Sequence, residues 1–181
     1  MRVVRWQAEG THGLEHLVME WRHDGIRVDS VVVGQRFGAI YGLQYRIECD
    51  ASWAVRSIVL NVAGGGNLTL YSDGKGHWHD DQNHALPELD GFIDIDISAT
   101  PFTNTLPIQR LKLAQLERRF IRVVYISVPD LQIRAVEQAY TCVVPGSEYT
   151  YEGIFRDFTA TLKVDEDGIV LDYPTLFKRI R

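Results

Sequence analysis

The feature that most constrains this chain is an alternation of apolar and polar residues with period two, recurring along most of its length. Phe158, Ala160, Leu162 and Val164 alternate with Thr159, Thr161 and Lys163. After Asp165-Glu166-Asp167-Gly168 the alternation resumes at Ile169, Leu171 and Tyr173. Successive side chains of a strand point to opposite faces, so each run buries one face and wets the other. Two such runs joined by an acidic turn ending in glycine read as a hairpin, because glycine accepts the positive φ such turns need. Pro174 has no N–H to give and should end the ladder.

The same pattern makes a second hairpin of Leu17 to Trp21, His23-Asp24-Gly25 and Ile26 to Val33. Further strands are expected at 44–49, 54–62, 67–72, 77–78, 92–97, 120–128 and 131–143. Turns fall at Asp50-Ala51, Gly64-Gly65-Gly66 and Asp73-Gly74-Lys75-Gly76. Strands at this spacing point to an antiparallel sandwich or barrel. Leu106 to Phe120 mixes two patterns and reads as extended rather than helical, although Pro107 would suit a first helical turn. With 181 residues, one domain over residues 1–181 is expected, large enough to bury a core without staples. The expected fold is all-β: a large curved antiparallel sheet or splayed barrel with little helix.

A faint repeat runs through the chain. Tyr45-Arg46-Ile47-Glu48 followed by Trp53-Ala54-Val55 resembles Tyr149-Thr150-Tyr151-Glu152 followed by Phe158-Thr159-Ala160. Ile26-Arg27-Val28 and Ile133-Arg134-Ala135 lie at a similar separation. Either two similar β halves join in one sheet, or amphipathic hairpins simply look alike.

Charge and motif content exclude several functions. Nineteen Lys and Arg against 24 Asp and Glu give a net charge of −5, the wrong sign for a nucleic-acid binder. No stretch supplies the roughly 18 apolar residues of a transmembrane segment. Met1 to Trp6 does not lead into the apolar run of a secretory signal, so a cytoplasmic location is expected. Cys49 and Cys142 sit inside apolar alternation and read as buried thiols rather than a disulfide. There is no Gly-x-Ser-x-Gly elbow and no phosphate-binding loop, and no cofactor is expected. His77-x-His79-Asp80-Asp81, with His84 nearby, has metal-ligand residue types. Its polar surroundings read instead as a solvated loop, so no metal is expected.

Two groups of residues remain as candidates. Asp94 and Asp96 alternate with Ile93, Ile95 and Ile97, so both acids share one face of a strand, either an outer face or a polar patch on a concave sheet. Paired carboxylates can divide acid and base roles on a sugar, or bond its hydroxyls. Thr103 and Asn104 lie in the Pro101–Pro107 stretch that follows and offer donors and acceptors. Arg110 would offset the acids or meet an anionic head group. Trp53, Tyr125, Tyr140 and Tyr151, in or beside strands, suit either a β core or contact with an amphiphile.

The run from Leu89 to Ile108, with Asp94-Ile95-Asp96 followed by Thr100-Pro101-Phe102-Thr103-Asn104-Thr105-Leu106-Pro107-Ile108 and Arg110, resembles the bacterial "putative glycolipid-binding" family. Tyr45-Arg46-Ile47, Asp73 to Trp78, Val128-Pro129-Asp130-Leu131 and Val164 to Arg179 carry the same resemblance. Gln115 to Arg119 is more charged and longer than the tight turn expected there. The resemblance implies an all-β fold with a large curved sheet or splayed barrel, like that of bacterial lipoprotein carriers. It brings no catalytic or ligand residues with it. The function expected is noncatalytic binding of an amphiphilic small molecule, a glycolipid among the candidates, in the concavity of the β fold. The alternatives are a hydrolase of a sugar or lipid ester using Asp94 and Asp96, and a protein-interaction module using a sheet edge.

Overall fold

The computed structural model describes residues 1–36 and 38–181. Among these, the first half of the chain forms β1 (Arg2–Ala8), β2 (Leu14–Arg22), β3 (Gly25–Arg36), β4 (Ala39–Asp50), β5 (Val55–Val62), β6 (Asn67–Ser72) and β7 (Trp78–Asp80). The second half forms β8 (Asp94–Ile97), α1 (Thr105–Leu111), β9 (Arg118–Ile126), β10 (Ile133–Val144), β11 (Glu148–Gly153), β12 (Phe158–Val164), β13 (Val170–Tyr173) and β14 (Phe177–Ile180). The strands make one sheet in which β7 to β1 follow in order and then β14 to β8. Each half therefore contributes seven strands laid side by side in chain order, and β1 pairs with β14 to join them.

The sheet is all-β and strongly curved, but no hydrogen-bonded ladder closes it: β7 and β8 are its edges. The segment 81–93 runs from one edge to the other. It is pinned by the Trp78 indole N–H donating to the Phe92 carbonyl at 2.7 Å and by the Gly91 N–H donating to the Gly76 carbonyl at 2.9 Å. The expected antiparallel order holds except at β8 and β9, which run parallel. Residues 98–117 make the crossover that a parallel pair requires.

That crossover is a plug, and it corrects the extended reading of Leu106 to Phe120. Residues 105–111 are α-helical, and the strand begins only at Arg118. Residues 99–108 are all buried. Leu106 packs into the large core that the first-half strands share with β8 and β9, whereas Ile108 and Leu113 pack into a second core built on β10–β13. A helix that is apolar on several sides has no single stripe, which is why its period is hard to read.

The hairpins fall where the alternation puts them. The repeated segments also occupy matching places: β3 and β10 are the third strands of their halves, β4 and β11 the fourth, and β12 follows β11 as β5 follows β4. Cys49 and Cys142 are buried free thiols. The acidic turn after β12 is held by Asp165, whose carboxylate accepts the Asp167 and Ile169 N–H groups at 3.0 Å each. Gly168 sits at φ +71, and a Cβ there would lie 2.6 Å from the Gln109 amide nitrogen. That amide donates to the Asp167 carbonyl at 2.7 Å, tying the turn to the plug. Gly168→Val should therefore lower stability by about 1 kcal/mol or more, through both strain and displacement of Gln109. Chemical denaturation measures it, and an unchanged midpoint would contradict this turn geometry.

Candidate functional site

The curvature and the plug leave two neighbouring cavities where the halves meet. The first, about 400 Å³, is walled by Trp6, Glu15, Val32, Gly34 and Tyr41. The second, about 310 Å³, is walled by Asp96, Asn104, Tyr125, Tyr151, Phe158 and Tyr173. Both touch Ser98 at the start of the plug, and Arg156, Leu176 and Phe177. Small-molecule pockets span about 300–1,000 Å³ and are mostly apolar with a few placed polar groups, which describes both chambers. A larger hollow beside His12 and Lys178 is an open surface dish edged largely by backbone turns and polar side chains.

Charged groups converge where the chambers meet. Arg36 on β3 donates to the Tyr125 hydroxyl on β9 at 2.8 Å, a bond between the two halves. Arg156, in the loop after β11, donates to the same oxygen, and its guanidinium lies 4.7 Å from the Tyr125 ring centre. Tyr125 is itself buried.

Glu15 is the residue that the sequence reading passed over. It is 2% exposed, on the inner face of β2 in step with Leu17 and Met19. Its Oε1 accepts hydrogen bonds from the Ser30 hydroxyl at 2.7 Å and the Tyr45 hydroxyl at 2.6 Å. Its Oε2 is buried with no hydrogen-bond partner. Burial pushes the carboxyl up from 4.5 to about 7, against the pull of the hydroxyls of Tyr45, Thr100 and Ser30. The available signal was an acid two residues before Leu17 on the face that must go inside.

The structure divides the expected site residues. The face carrying the acids turns inward beneath the plug, so both faces of β8 are covered. Asp94 is 1% exposed and takes a bidentate pair from Arg110 on α1, the Nε to Oδ1 distance being 3.0 Å. Burial pushes the Asp94 carboxyl up, and Arg110 opposes the rise. These two residues line a separate hollow of about 330 Å³ with Arg119, Phe120 and Arg122. Asp96 instead reaches the second chamber. One of its oxygens accepts from Gln138 at 2.6 Å and the other from Thr103 at 3.3 Å. Burial raises its carboxyl too, while these donors and the Arg156 and Arg36 charges oppose it.

Asn104 accepts the Tyr140 hydroxyl at 2.8 Å and donates to the Pro101 carbonyl at 3.0 Å, and it reaches the second chamber. Tyr140 is buried behind the wall, its ring edge-on to Tyr151 at 5.4 Å. Asp96, Asn104, Tyr125 and Tyr151 are thus brought together, while Thr103 and Tyr140 support them from behind. Trp53 lies elsewhere, in the turn between β4 and β5, and packs against the large core shared by the first-half strands with β8 and β9. The histidine loop is engaged locally. His77 bonds Asp73 at 2.7 Å, His84 bonds Asp80 at 3.1 Å, and His79 stacks on Tyr71. Among the described residues no group of three or more His, Cys, Asp or Glu is placed to hold a metal ion.

Two outcomes test this electrostatic picture. Between pH 4.5 and about 7 folded Glu15 holds a proton that the unfolded chain has released, so its contribution to stability falls as pH rises and is level above that window. Glu15→Gln cannot ionise, so its stability relative to wild type should grow by about 3 kcal/mol from acid to mildly alkaline pH. Denaturant melts across that range measure the difference, and a constant difference would contradict the shift. Asp94→Asn leaves Arg110 facing a neutral partner in a buried place and should cost about 3–5 kcal/mol. A loss below about 1 kcal/mol in thermal or chemical melts would show the pair to be dispensable.

The comparisons with known proteins agree with this architecture. The crystal structure of a DUF1089 family protein (PA1994) from Pseudomonas aeruginosa superposes with a TM-score of 0.83 at 42% identity, over 92% of this chain and 92% of that one. No curated protein matches the chain. The model of the family described as "Putative glycolipid-binding" matches residues 3–179, and the chain belongs to that family.

Proposed function

We propose that this protein binds an amphiphile without transforming it, the ligand lying in the two chambers between the half-sheets. One observation carries the reading: two adjoining, largely apolar cavities meet where Arg36 and Arg156 converge on the Tyr125 hydroxyl. The apolar walls suit an alkyl chain, at about 0.8 kcal/mol per buried CH₂. The polar groups suit a head group. The family description supports a sugar-bearing head, which makes a glycolipid the natural full-sized ligand.

The competing hydrolase reading needs Asp94 and Asp96 to have oxygens available to substrate. Both oxygens of each are already engaged, Asp94 by Arg110 and Asp96 by Thr103 and Gln138. The two acids also line different cavities. A module using its sheet edges would rest on β7 and β8, which are three and four residues long and spanned by the segment 81–93.

Leu176 is 38% exposed and belongs to both chambers, so a bulky ring there obstructs them at little cost to the core. Titration calorimetry with hexyl and octyl β-D-glucosides and with octanoate tests the reading. Two added methylenes should tighten the glucoside roughly tenfold. Leu176→Trp should weaken every probe at least tenfold while the melting temperature changes little. Failure of all probes to bind, or equal affinity in Leu176→Trp, would overturn the proposal.

A further inference from the structure

We propose that the second chamber is a sugar-ring subsite: the Tyr151 and Tyr173 hydroxyls and the Arg156 guanidinium bond the hydroxyls of an uncharged pyranose head, and the aromatic rings beside them cover its C–H face. This deepens the amphiphile reading and rests on it.

The first argument is a pair of hydroxyls that serve nothing inside the protein. Tyr151 and Tyr173 are 5% and 6% exposed, and both line this chamber. Among the described residues neither hydroxyl has a hydrogen-bond partner, and neither oxygen is one of the side-chain atoms sealed away without a partner. Each oxygen is therefore open to a small molecule. Gly153 shows where the Tyr151 hydroxyl lies. It lines the same chamber, and a Cβ on it would stand 3.0 Å from that oxygen. The Tyr151 and Tyr173 rings meet edge-on with their centres 6.0 Å apart. Burial is the main cause that raises both phenols, and the Asp96 and Arg156 charges, both on the chamber wall, act on both in opposite senses. The phenols stay protonated, so each hydroxyl donates as well as accepts.

The second argument is an anchored donor beside them. Arg156 is exposed and lines the chamber. One of its nitrogens donates to the Tyr125 hydroxyl, and its guanidinium lies 4.7 Å from the ring centres of both Tyr125 and Phe155. A guanidinium has several N–H donors, so this one is held in place and keeps donors for a ligand. Asp96 is the other charged residue of the wall and carries the opposite formal charge, so the wall selects no ionic head.

The third argument separates a sugar from an alkyl chain. A chain lying here would strip water from the hydroxyls and the guanidinium and return no hydrogen bond. Sugar hydroxyls can replace that water bond for bond. Phe158 and Phe177 flank Tyr173, their ring centres 6.1 Å and 6.3 Å from its own. Such faces take the C–H side of a pyranose while the phenolic tips take its hydroxyl edge. A volume of about 310 Å³ is at the small end of ligand sites and suits one ring rather than an oligosaccharide.

The experiment is titration calorimetry of two probes into wild type and the double variant Tyr151→Phe/Tyr173→Phe. The probes are octyl β-D-glucoside and triethylene glycol monooctyl ether, which has the same tail and no sugar ring. The substitutions keep both rings and remove only hydroxyls that bond nothing in the protein, so the melting temperature should hold. Wild type should bind the glucoside at least about tenfold more tightly than the ether, and the variant should lose about tenfold for the glucoside alone, a factor of a few for each neutral hydrogen bond. Equal wild-type affinity for the two probes, glucoside affinity within twofold in the variant, or equal losses for both probes would overturn the subsite and leave the amphiphile reading standing. A variant that melts well below wild type would overturn it too, by showing that the hydroxyls hold the fold. Binding of neither probe to wild type overturns both readings.

Discussion

Four residue pairs join the two halves of this molecule: Arg5 with Ile180, Trp6 with Arg179, Gln7 with Lys178, and Ala8 with Phe177. Every other ladder among the described residues links strands that are neighbours in sequence. The β1–β14 seam is what makes one continuous concavity of two half-sheets. It is reinforced from both sides. The Trp6 indole N–H donates to the Val170 carbonyl at 2.8 Å, and Asp165 is faced by Arg2 at 3.1 Å and Arg179 at 2.5 Å. The ends of the chain therefore meet at the turn after β12, and Gln109 ties that turn to the plug.

The plug is the second consequence of the seam. A sheet this wide and curved has more interior than its own side chains fill, and residues 99–108 supply the missing volume. Leu106 serves one core and Ile108 the other, so the helix packs the halves together as well as filling them. The motif that carries the family resemblance is mostly this plug. The hydroxyls of Thr100 and Thr103 and the Asn104 amide bond their own framework, with Asn104 and Ser98 reaching the chambers. The two adjoining chambers lie there, where the plug begins and the seam ends.

Buried charge is handled in two contrasting ways. Asp94 and Arg110 form a bidentate pair that fastens α1 to β8, which is a structural use of an ion pair. Glu15 is held on one oxygen only, by neutral hydroxyls, in a chamber that also contains arginine and tyrosine. Burial therefore pushes the Glu15 carboxyl up to about 7.

The alternation itself determined the all-β class, the hairpins and most strand positions, because a period of two admits one buried face and little else. It also placed Asp94 and Asp96 on a common face and Gly168 in a positive-φ turn. The strands of the seam were harder to read: β14 has only four residues and begins only after Pro174 has ended β13. Their partner lies at the opposite end of the chain, so no local pattern announces the pairing. Tertiary structure alone decided that the charged pair is Asp94 with Arg110, that Thr103 and Tyr140 stand behind the wall, and that Trp53 packs against the large core. It also turned Glu15 from one polar residue in a strand into a half-satisfied carboxyl beside a cavity. Alternation tells which face a side chain is on, whereas the site depends on which faces are brought together, and that was settled by the seam and the plug.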